Sequence, residues 1–303
     1  MNTKSAGKKI KHTAGDHIFN ILNYAIFLVF TIICVYPFYY MFINTISDNR
    51  MVEAGKILFY PQGIHFQNYI DALQLPNFGH SAFNSIVRTV IGTALSTLAT
   101  SYLAYFFTKE KMWKRKFWYR FSIITMYFSA GLIPYYLTLK SYHLLNNFLV
   151  YIIPGLISVY NMVLVKTYIE SIPSALEESA EIDGASYLTR FFHIVMPLCI
   201  PILATISLWT AVGHWNSFMD TLLYITDEKY YTLQYVLQMY LRESAKLANE
   251  IANGAIIKDP SKALTPNTVK LTVTIIVTTP ILCVYPFVQR FFIKGIMVGS
   301  VKG

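Results

Sequence analysis

The chain alternates long apolar runs with short polar segments, and this alternation predicts an all-α, polytopic membrane protein. A helix needs ~20 mostly apolar residues to cross a bilayer, and six runs approach or exceed that length. They cover residues 18–43, 83–107, 121–139, 148–169, 198–219 and 269–292. The strand alternation of a membrane barrel is absent, so we expect six transmembrane helices.

Composition supports this prediction. Of the 303 residues, 54% are hydrophobic and 14% are charged, and the mean hydropathy is +0.42; soluble domains carry about 25% charged residues. The net charge of +9 raises the alternative of a nucleic-acid partner. The bases lie in short segments between apolar runs, where they act as topology signals. We therefore expect membrane lipid around this chain and no nucleic acid.

The distribution of bases predicts the orientation. Four lysines lie in the N-terminal tail, residues 1–17, and six bases lie in residues 109–120. The C-terminal tail, residues 293–303, is also basic. By the positive-inside rule all three segments are cytoplasmic. The transmembrane domain then covers residues 18–292, its first span is an uncleaved helix, and residues 170–197 form a cytoplasmic loop.

That loop is acidic on an otherwise basic inner face. Four acids lie within seven residues: Glu177, Glu178, Glu181 and Asp183. Ser174 and Glu177 fit a capping box, and Gly184 suits a left-handed helix end. A second helix is expected over 185–196, with its apolar face formed by Tyr187, Phe191, Ile194 and Val195.

The plain interpretation of the loop is an interfacial helix pair that caps the bundle. However, an anionic inner leaflet attracts Lys and Arg, so acids suit contact with a protein better.

Motifs for chemistry are lacking. The sequence has no phosphate-binding G-x-x-x-x-G-K-[ST], no H-E-x-x-H and no spaced cysteine and histidine cluster. Cys34, Cys199 and Cys283 each lie alone in an apolar run. We expect no catalytic residue, no metal and no cofactor on this chain, so a separate partner must supply the energy for any transport.

Glu178-Ser-Ala-Glu-Ile-Asp183-Gly184-Ala185, followed by Pro197, resembles the EAA motif of binding-protein-dependent ABC importer permeases. The usual form is E-A-A-x-x-D-G-A, a spacer, then I-x-L-P. Ser179 and Met196 are departures from it. Asn84-Ser-x-x-Arg88-Thr89, His214-Trp215-Asn216 and the ending Phe292–Gly303 are similar to the carbohydrate-uptake branch, and within it to oligosaccharide and polysaccharide-fragment importers.

The resemblance implies a type I importer permease fold whose loop between spans four and five is a coupling helix. The residues it assigns to ATPase coupling are Glu178, Ala180, Asp183, Gly184, Ala185 and Pro197. ATP and Mg would bind two partner ATPase subunits, whose closure drives alternating access. A second, homologous permease as heterodimer partner and an extracytoplasmic solute-binding protein are implied as well. The location implied is the cytoplasmic membrane of a prokaryote.

Sugars are recognised by aromatic faces and polar groups, and polar residues within spans tend to face a cavity. The resulting substrate-path candidates are Asn161, Trp209, His214, Trp215 and Asn216. Their plain interpretation is membrane-interface packing, since tryptophan gathers there for reasons unrelated to ligands. Arg88 is expected to snorkel to the interface, with gating of the outer side as the alternative.

Two other functions stay open. One is a permease for a non-sugar substrate, which the EAA motif alone does not exclude. The other is an integral-membrane enzyme acting on lipid or cell-wall precursors, which would need an ionisable cluster near the membrane surface. In the outer loop, residues 220–266, apolar spacing from Leu233 to Ile251 predicts an amphipathic helix. It either helps to dock a binding protein or packs on the bundle.

Overall fold

The computed structural model describes residues 14–252 and 266–299, whose regular secondary structure is helical, with no strand among them. The all-α fold class is therefore confirmed. In chain order the helices are α1 (Ala14–Thr45), α2 (Asn49–Glu53), α3 (Gln67–Leu73), α4 (Phe78–Phe106), α5 (Arg115–Tyr127), α6 (Leu132–Ser141), α7 (Val159–Glu170), α8 (Ala175–Ile182), α9 (Tyr187–Arg190), α10 (Met196–Leu198), α11 (Ile200–Asn216), α12 (Met219–Tyr224), α13 (Leu233–Ala252) and α14 (Pro266–Gly299).

Two predicted spans coincide with long apolar helices. The runs 18–43 and 83–107 fall on α1 and α4, which are long and apolar enough to cross a membrane. The run 269–292 falls within α14, which contains Pro280 and Pro286 and continues to Gly299. Most of the predicted N-terminal tail and the last four residues lie outside the described part of the chain.

Two predicted spans are interrupted within their bounds. The run 121–139 is divided into α5 and α6, which are bent by 120° where Gly131 adopts a φ of +86°. The run 148–169 begins as a 3-10 turn and becomes α-helical only at Val159, because Pro154 lacks the amide hydrogen a helix needs.

The fifth predicted span, 198–219, bends at its start. The helical stretch Tyr187–Leu198 meets α11 at 85°, next to Pro201, and α11 ends at Asn216. Within the described residues, two helices qualify as spans by length and apolarity, or four when each bent pair counts as one. The count of six therefore stays a prediction.

Helix α4 lies at the centre of the fold, where α7, α11, α13 and α14 pack on it or on each other. Its buried face is rich in small and hydroxyl residues, which let helix backbones approach closely. A Cβ added to Gly92 would lie 2.6 Å from Nε2 of His214 on α11, so only glycine fits this crossing.

The predicted amphipathic helix of the outer loop is confirmed as α13. Its apolar side chains Leu233 and Leu237 are buried together with Val273 and Val277 of α14. A separate core joins the other end of α4 to α7 and to the helical stretch that leads into α11. The acidic loop lies next to this second core.

Candidate functional site

The acidic loop folds as helix, glycine turn, helix, which confirms the prediction. Helix α8 ends in two backbone hydrogen bonds: the Gly184 amide donates to the Glu181 carbonyl at 3.1 Å, and the Ala185 amide donates to the Ala180 carbonyl at 2.9 Å. This pair defines a Schellman motif, with a left-handed residue after the helix. Gly184 supplies that conformation with a φ of +81°.

The second helix is more irregular than predicted. Ser186 caps it by accepting a hydrogen bond from the Thr189 amide at 3.2 Å. It then passes through a π-helical turn, Phe191–Val195, before α10, where Pro197 lies exposed. Of its predicted apolar face, Phe191 and Val195 are buried, whereas Tyr187 is exposed.

The predicted capping box is wrong. Ser174 has helical dihedrals and its side chain caps no backbone amide. Glu177 reaches away from the helix start and forms an ion pair with Lys109, just beyond α4. It also accepts a hydrogen bond from the buried Tyr105 hydroxyl at 2.7 Å. Charge-assisted bonds of this kind are stronger than a neutral cap, so Glu177 serves the tertiary contact instead.

Glu181 lies one helical turn after Glu177 on the same side of α8. It accepts hydrogen bonds from Arg190 at 2.6 Å and from Lys111 at 2.8 Å. The hydrogen bonds from Lys111 and Arg190 hold the pKa of Glu181 below its ordinary value. Burial lowers the pKa of Lys109, and its ion pair with Glu177 opposes that shift.

We call these contacts the Lys109 cluster: Tyr105, Lys109, Glu177, Glu181 and Arg190. Its two bases also stack on rings, with Lys109 Nζ 4.0 Å from the Tyr105 ring centroid and the Arg190 guanidinium 4.4 Å from that of Tyr187. The cluster fastens α8 to the end of α4. Sequence reasoning missed Tyr105, Lys109 and Arg190 as partners, although Arg190 is the only base in the acidic stretch.

The other two acids point away from the cluster. Glu178 and Asp183 are exposed, and no side chain among the described residues forms an ion pair with either. Between them lies Ile182, which is 87% exposed. The outer face of α8 thus offers two free carboxylates beside an uncovered apolar side chain, a combination suited to a protein partner. Ala180 and Ala185 lie half-buried beneath it.

The substrate-path candidates are not brought together. Asn161 is almost fully buried at the start of α7. His214 packs on Gly92, and the Trp215 indole donates to the Val277 carbonyl at 2.9 Å, so both side chains hold helices together. Asn216 is the exposed last residue of α11.

Trp209 differs from these four residues. It is 47% exposed on α11, and its ring lies 6.3 Å from the ring of Tyr160 on α7, at an angle of 31°. Tyr160, which is also exposed, was missed because residues 49 positions apart in sequence give no pattern.

The expectation that Arg88 snorkels is wrong. Its side chain is 3% exposed and forms an ion pair with Asp220. The guanidinium carbon lies 4.4 Å above the centroid of the Tyr151 ring. Residues 217–220 cover this part of α4, so the guanidinium has a carboxylate close by and need not reach a membrane surface. We call Arg88, Tyr151 and Asp220 the Arg88 cluster.

Comparisons with known proteins give a consistent picture. The family described as "Binding-protein-dependent transport system inner membrane component" matches residues 96–298. The polygalacturonan/rhamnogalacturonan transport system permease protein YtcP of Bacillus subtilis is 34% identical over 95% of this chain and 99% of its own. Protein LplC of Bacillus subtilis is 35% identical over 96% of this chain and 97% of its own.

A solved structure is similar as well. It is the crystal structure of a bacterial ABC transporter involved in the import of the acidic polysaccharide alginate. The matched chain aligns with a TM-score of 0.79 and 29% identity, over 94% of this chain and all of that chain.

Proposed function

This chain belongs to the family of binding-protein-dependent transport system inner membrane components, and from this premise we propose that it moves an oligosaccharide or polysaccharide fragment into the cell. It is the permease subunit of an ATP-driven importer in the cytoplasmic membrane of a prokaryote. It catalyses no bond change. Both termini and the acidic loop face the cytoplasm, and the Arg88 cluster then lies toward the outer side.

The substrate class rests on the relatives. YtcP is described as a transporter of polygalacturonan and rhamnogalacturonan, and the similar solved transporter imports alginate. These substrates are polysaccharides, and the similarity to each covers at least 94% of this chain. Trp209 and Tyr160 give an exposed aromatic surface that can stack on a sugar ring, so Trp209 stays a substrate-path candidate.

The outward face of α8 is the observation that carries the coupling mechanism. Glu178, Ile182 and Asp183 have no covering in the described residues. In contrast, Glu177 is bound at the end of α4, and Glu181 is bound to Lys111 and Arg190. The free acids dock on a basic, partly apolar cleft of a separate ATPase. The Lys109 cluster ties the docked helix to α4, so movement of the ATPase moves the permease.

The complete importer contains this chain, a second and different permease, two ATPase subunits and an extracytoplasmic binding protein. ATP and Mg bind the ATPases. Their closure draws the two acidic loops together and converts the permease pair from an inward-open to an outward-open state. Both states use the same contacts at α8, because Gly184 fixes the turn on which the helix is presented.

The test is a pull-down of the membrane complex through a tag on this chain. Glu178→Lys reverses a free charge on the docking face, so we expect the ATPase to be lost and the second permease retained. Glu110→Lys is the matched control, because Glu110 is an exposed acid near the end of α4 but outside the docking face. Recovery of the ATPase with Glu178→Lys at the native level would refute the docking model.

A further inference from the structure

The Arg88 cluster lies at the opposite end of α4 from the acidic loop and has no role in docking or in the substrate path proposed above. Arg88 Nη1 donates to the Ser217 carbonyl and to Asp220 Oδ1, both at 3.3 Å, while Nη2 pairs with Asp220 Oδ2. The Tyr151 hydroxyl beneath it donates to the Tyr230 carbonyl at 2.7 Å. One buried arginine therefore joins α4, the 3-10 turn before α7 and the segment after α11.

Other polar side chains of α4 extend this contact along the segment after α11. The Asn84 amide donates to the carbonyls of Lys229 and Tyr231, at 2.7 and 3.0 Å. The Ser85 hydroxyl accepts a hydrogen bond from the Leu233 amide at 2.8 Å. Both side chains are buried. Because they bind backbone groups, they fix the path of the chain and leave its side chains free.

The contact continues to the first residue before α4. A ring nitrogen of His80 lies 2.7 Å from the Lys229 carbonyl, and the Asn77 amide donates to Glu228 Oε2 at 2.7 Å. Positions 80, 84 and 88 recur every four residues, which places them on one face of the helix, and Asn77 immediately precedes it. We call this set of contacts the α4 seam: Asn77, His80, Asn84, Ser85 and Arg88.

The seam and the Lys109 cluster lie on the same helix. Seventeen residues separate Arg88 from Tyr105, which is about 25 Å along an α-helix. α4 is continuous between them and is packed on both α7 and α11. A displacement applied at α8 must then reach residues 217–233 through a rigid element that is fastened at both ends.

We infer that Arg88 is a positioning residue for transport, which holds residues 217–233 on α4 so that this outer segment and the acidic loop move together. Binding of a loaded solute-binding protein at the outer side thereby changes the state of the ATPases through α4. The coupling is reciprocal, so the state of the ATPases also changes the affinity for the binding protein. This inference rests on the proposed function, because it needs an ATPase at α8 and a binding protein at the outer side.

The experiment measures ATP hydrolysis by the complete importer in lipid nanodiscs, with and without its binding protein loaded with a polygalacturonan fragment. In Arg88→Gln we expect basal hydrolysis to persist and the ratio of stimulated to basal rate to fall to about 1. Lys229→Ala is the matched control. The Lys229 side chain is 58% exposed on the same segment, pairs with Asp227 and lies over the Tyr230 ring, and it bonds to no α4 side chain among the described residues, so its ratio should equal that of the native importer.

Two further variants separate positioning from folding. Tyr151→Phe keeps the ring beneath Arg88 and removes the hydroxyl bonds to Thr221 and Tyr230, so it should lower the ratio without leaving a buried charge. Arg88→Gln/Asp220→Asn removes both charges at once. It should assemble like the native chain and still show a low ratio, because amides of this length do not replace the paired, stacked guanidinium.

Each outcome decides one proposal. Native stimulation in all three cluster variants would overturn the role of Arg88 while leaving the importer intact. Restored stimulation in the double variant alone would show that the pair only neutralises charge, which also overturns it. A native complex without ATP hydrolysis, or without stimulation by any carbohydrate-loaded binding protein, would instead refute the proposed function.

Discussion

The two ends of α4 carry similar chemistry in different surroundings. At each end a base stacks on a buried tyrosine and pairs with a carboxylate from a segment after α7. The side chain of Arg88 is 3% exposed and has one acid partner, whereas Lys109 is 16% exposed and shares Glu177 with Arg190. Removing the acid should therefore cost more at Arg88, whose side chain is less exposed and has a single acid partner among the described residues, than at Lys109.

The Lys109 end differs from the Arg88 end in that its bases share two acids. Its second acid, Glu181, is half-exposed, and its bonds to Arg190 and Lys111 are partly screened by water. Such contacts are individually weak and can adjust when a partner binds. The comparison indicates a rigid contact at the Arg88 end and a more adaptable contact next to the proposed docking face.

The largest expected effect is that of Asp220→Ala, which leaves the Arg88 guanidinium buried without its acid. Breaking a buried pair on one side costs about 3–5 kcal/mol of stability. Thermal unfolding of the purified importer should show this loss, and Arg88→Met/Asp220→Leu should recover most of it. An Asp220→Ala importer as stable as the native one would contradict the expectation that losing an acid costs more stability at the Arg88 end than at the Lys109 end.

Next in size is Gly184→Pro, which acts on the backbone of the acidic loop and replaces no side chain of either cluster. Proline fixes φ near −65° and cannot reach the +81° of Gly184, and it removes the amide bonded to Glu181. We expect a cost of about 3 kcal/mol or more locally, and loss of substrate transport with the chain still inserted. Transport assays in vesicles with matched amounts of chain would measure it. Normal transport would contradict the coupling role of the turn.

Glu177→Gln should have a smaller effect and sharpen the comparison at the Lys109 end. The amide keeps one acceptor for Tyr105 but loses its charge beside Lys109 and Arg190. Hydrogen bonds to charged groups contribute about 1.5–3 kcal/mol, and Glu181 retains part of the contact. The melting temperature should fall less than in Asp220→Ala. A larger fall than in Asp220→Ala would show that the contacts at the Lys109 end, and not those at the Arg88 end, contribute more to stability.

The smallest effect is the pH dependence of the Glu181 contact. Lys111 and Arg190 depress its folded pKa, so the carboxylate stabilises the fold above its ordinary value of 4.5 and this contribution is lost as pH falls through the folded pKa. The melting temperature of Glu181→Gln, measured from pH 7 to pH 3, should converge on that of the native chain at the acidic end. Added salt should reduce the gap at neutral pH.

Apolar periodicity predicted the helical class, α1, α4 and α13, because each of these depends on one amphipathic or apolar face. It failed at α5, α6 and the turn before α7. There, Gly131 and Pro154 interrupt runs that hydropathy alone treats as continuous. A local breaker is visible in sequence, but the angle it produces depends on what the two halves pack against.

In the acidic loop, too, local sequence predicted some features and tertiary packing decided others. Gly184 and the length of α8 follow from local rules for helix ends. The capping box at Ser174 does not form, because Glu177 finds Tyr105 and Lys109 instead. Helix spacing puts Glu177 and Glu181 on one side of α8. Sequence does not say that this side meets α4.

By itself, then, the sequence determined that the chain is a helical membrane protein with an acidic helix-turn-helix loop. The tertiary structure decided which acids remain free and that Arg88 is enclosed. The physical reason is distance along the chain. Tyr105 and Glu177 are 72 positions apart, and Arg88 and Asp220 are 132 positions apart. Only the packing of α4 against its neighbours brings such pairs within hydrogen-bonding reach.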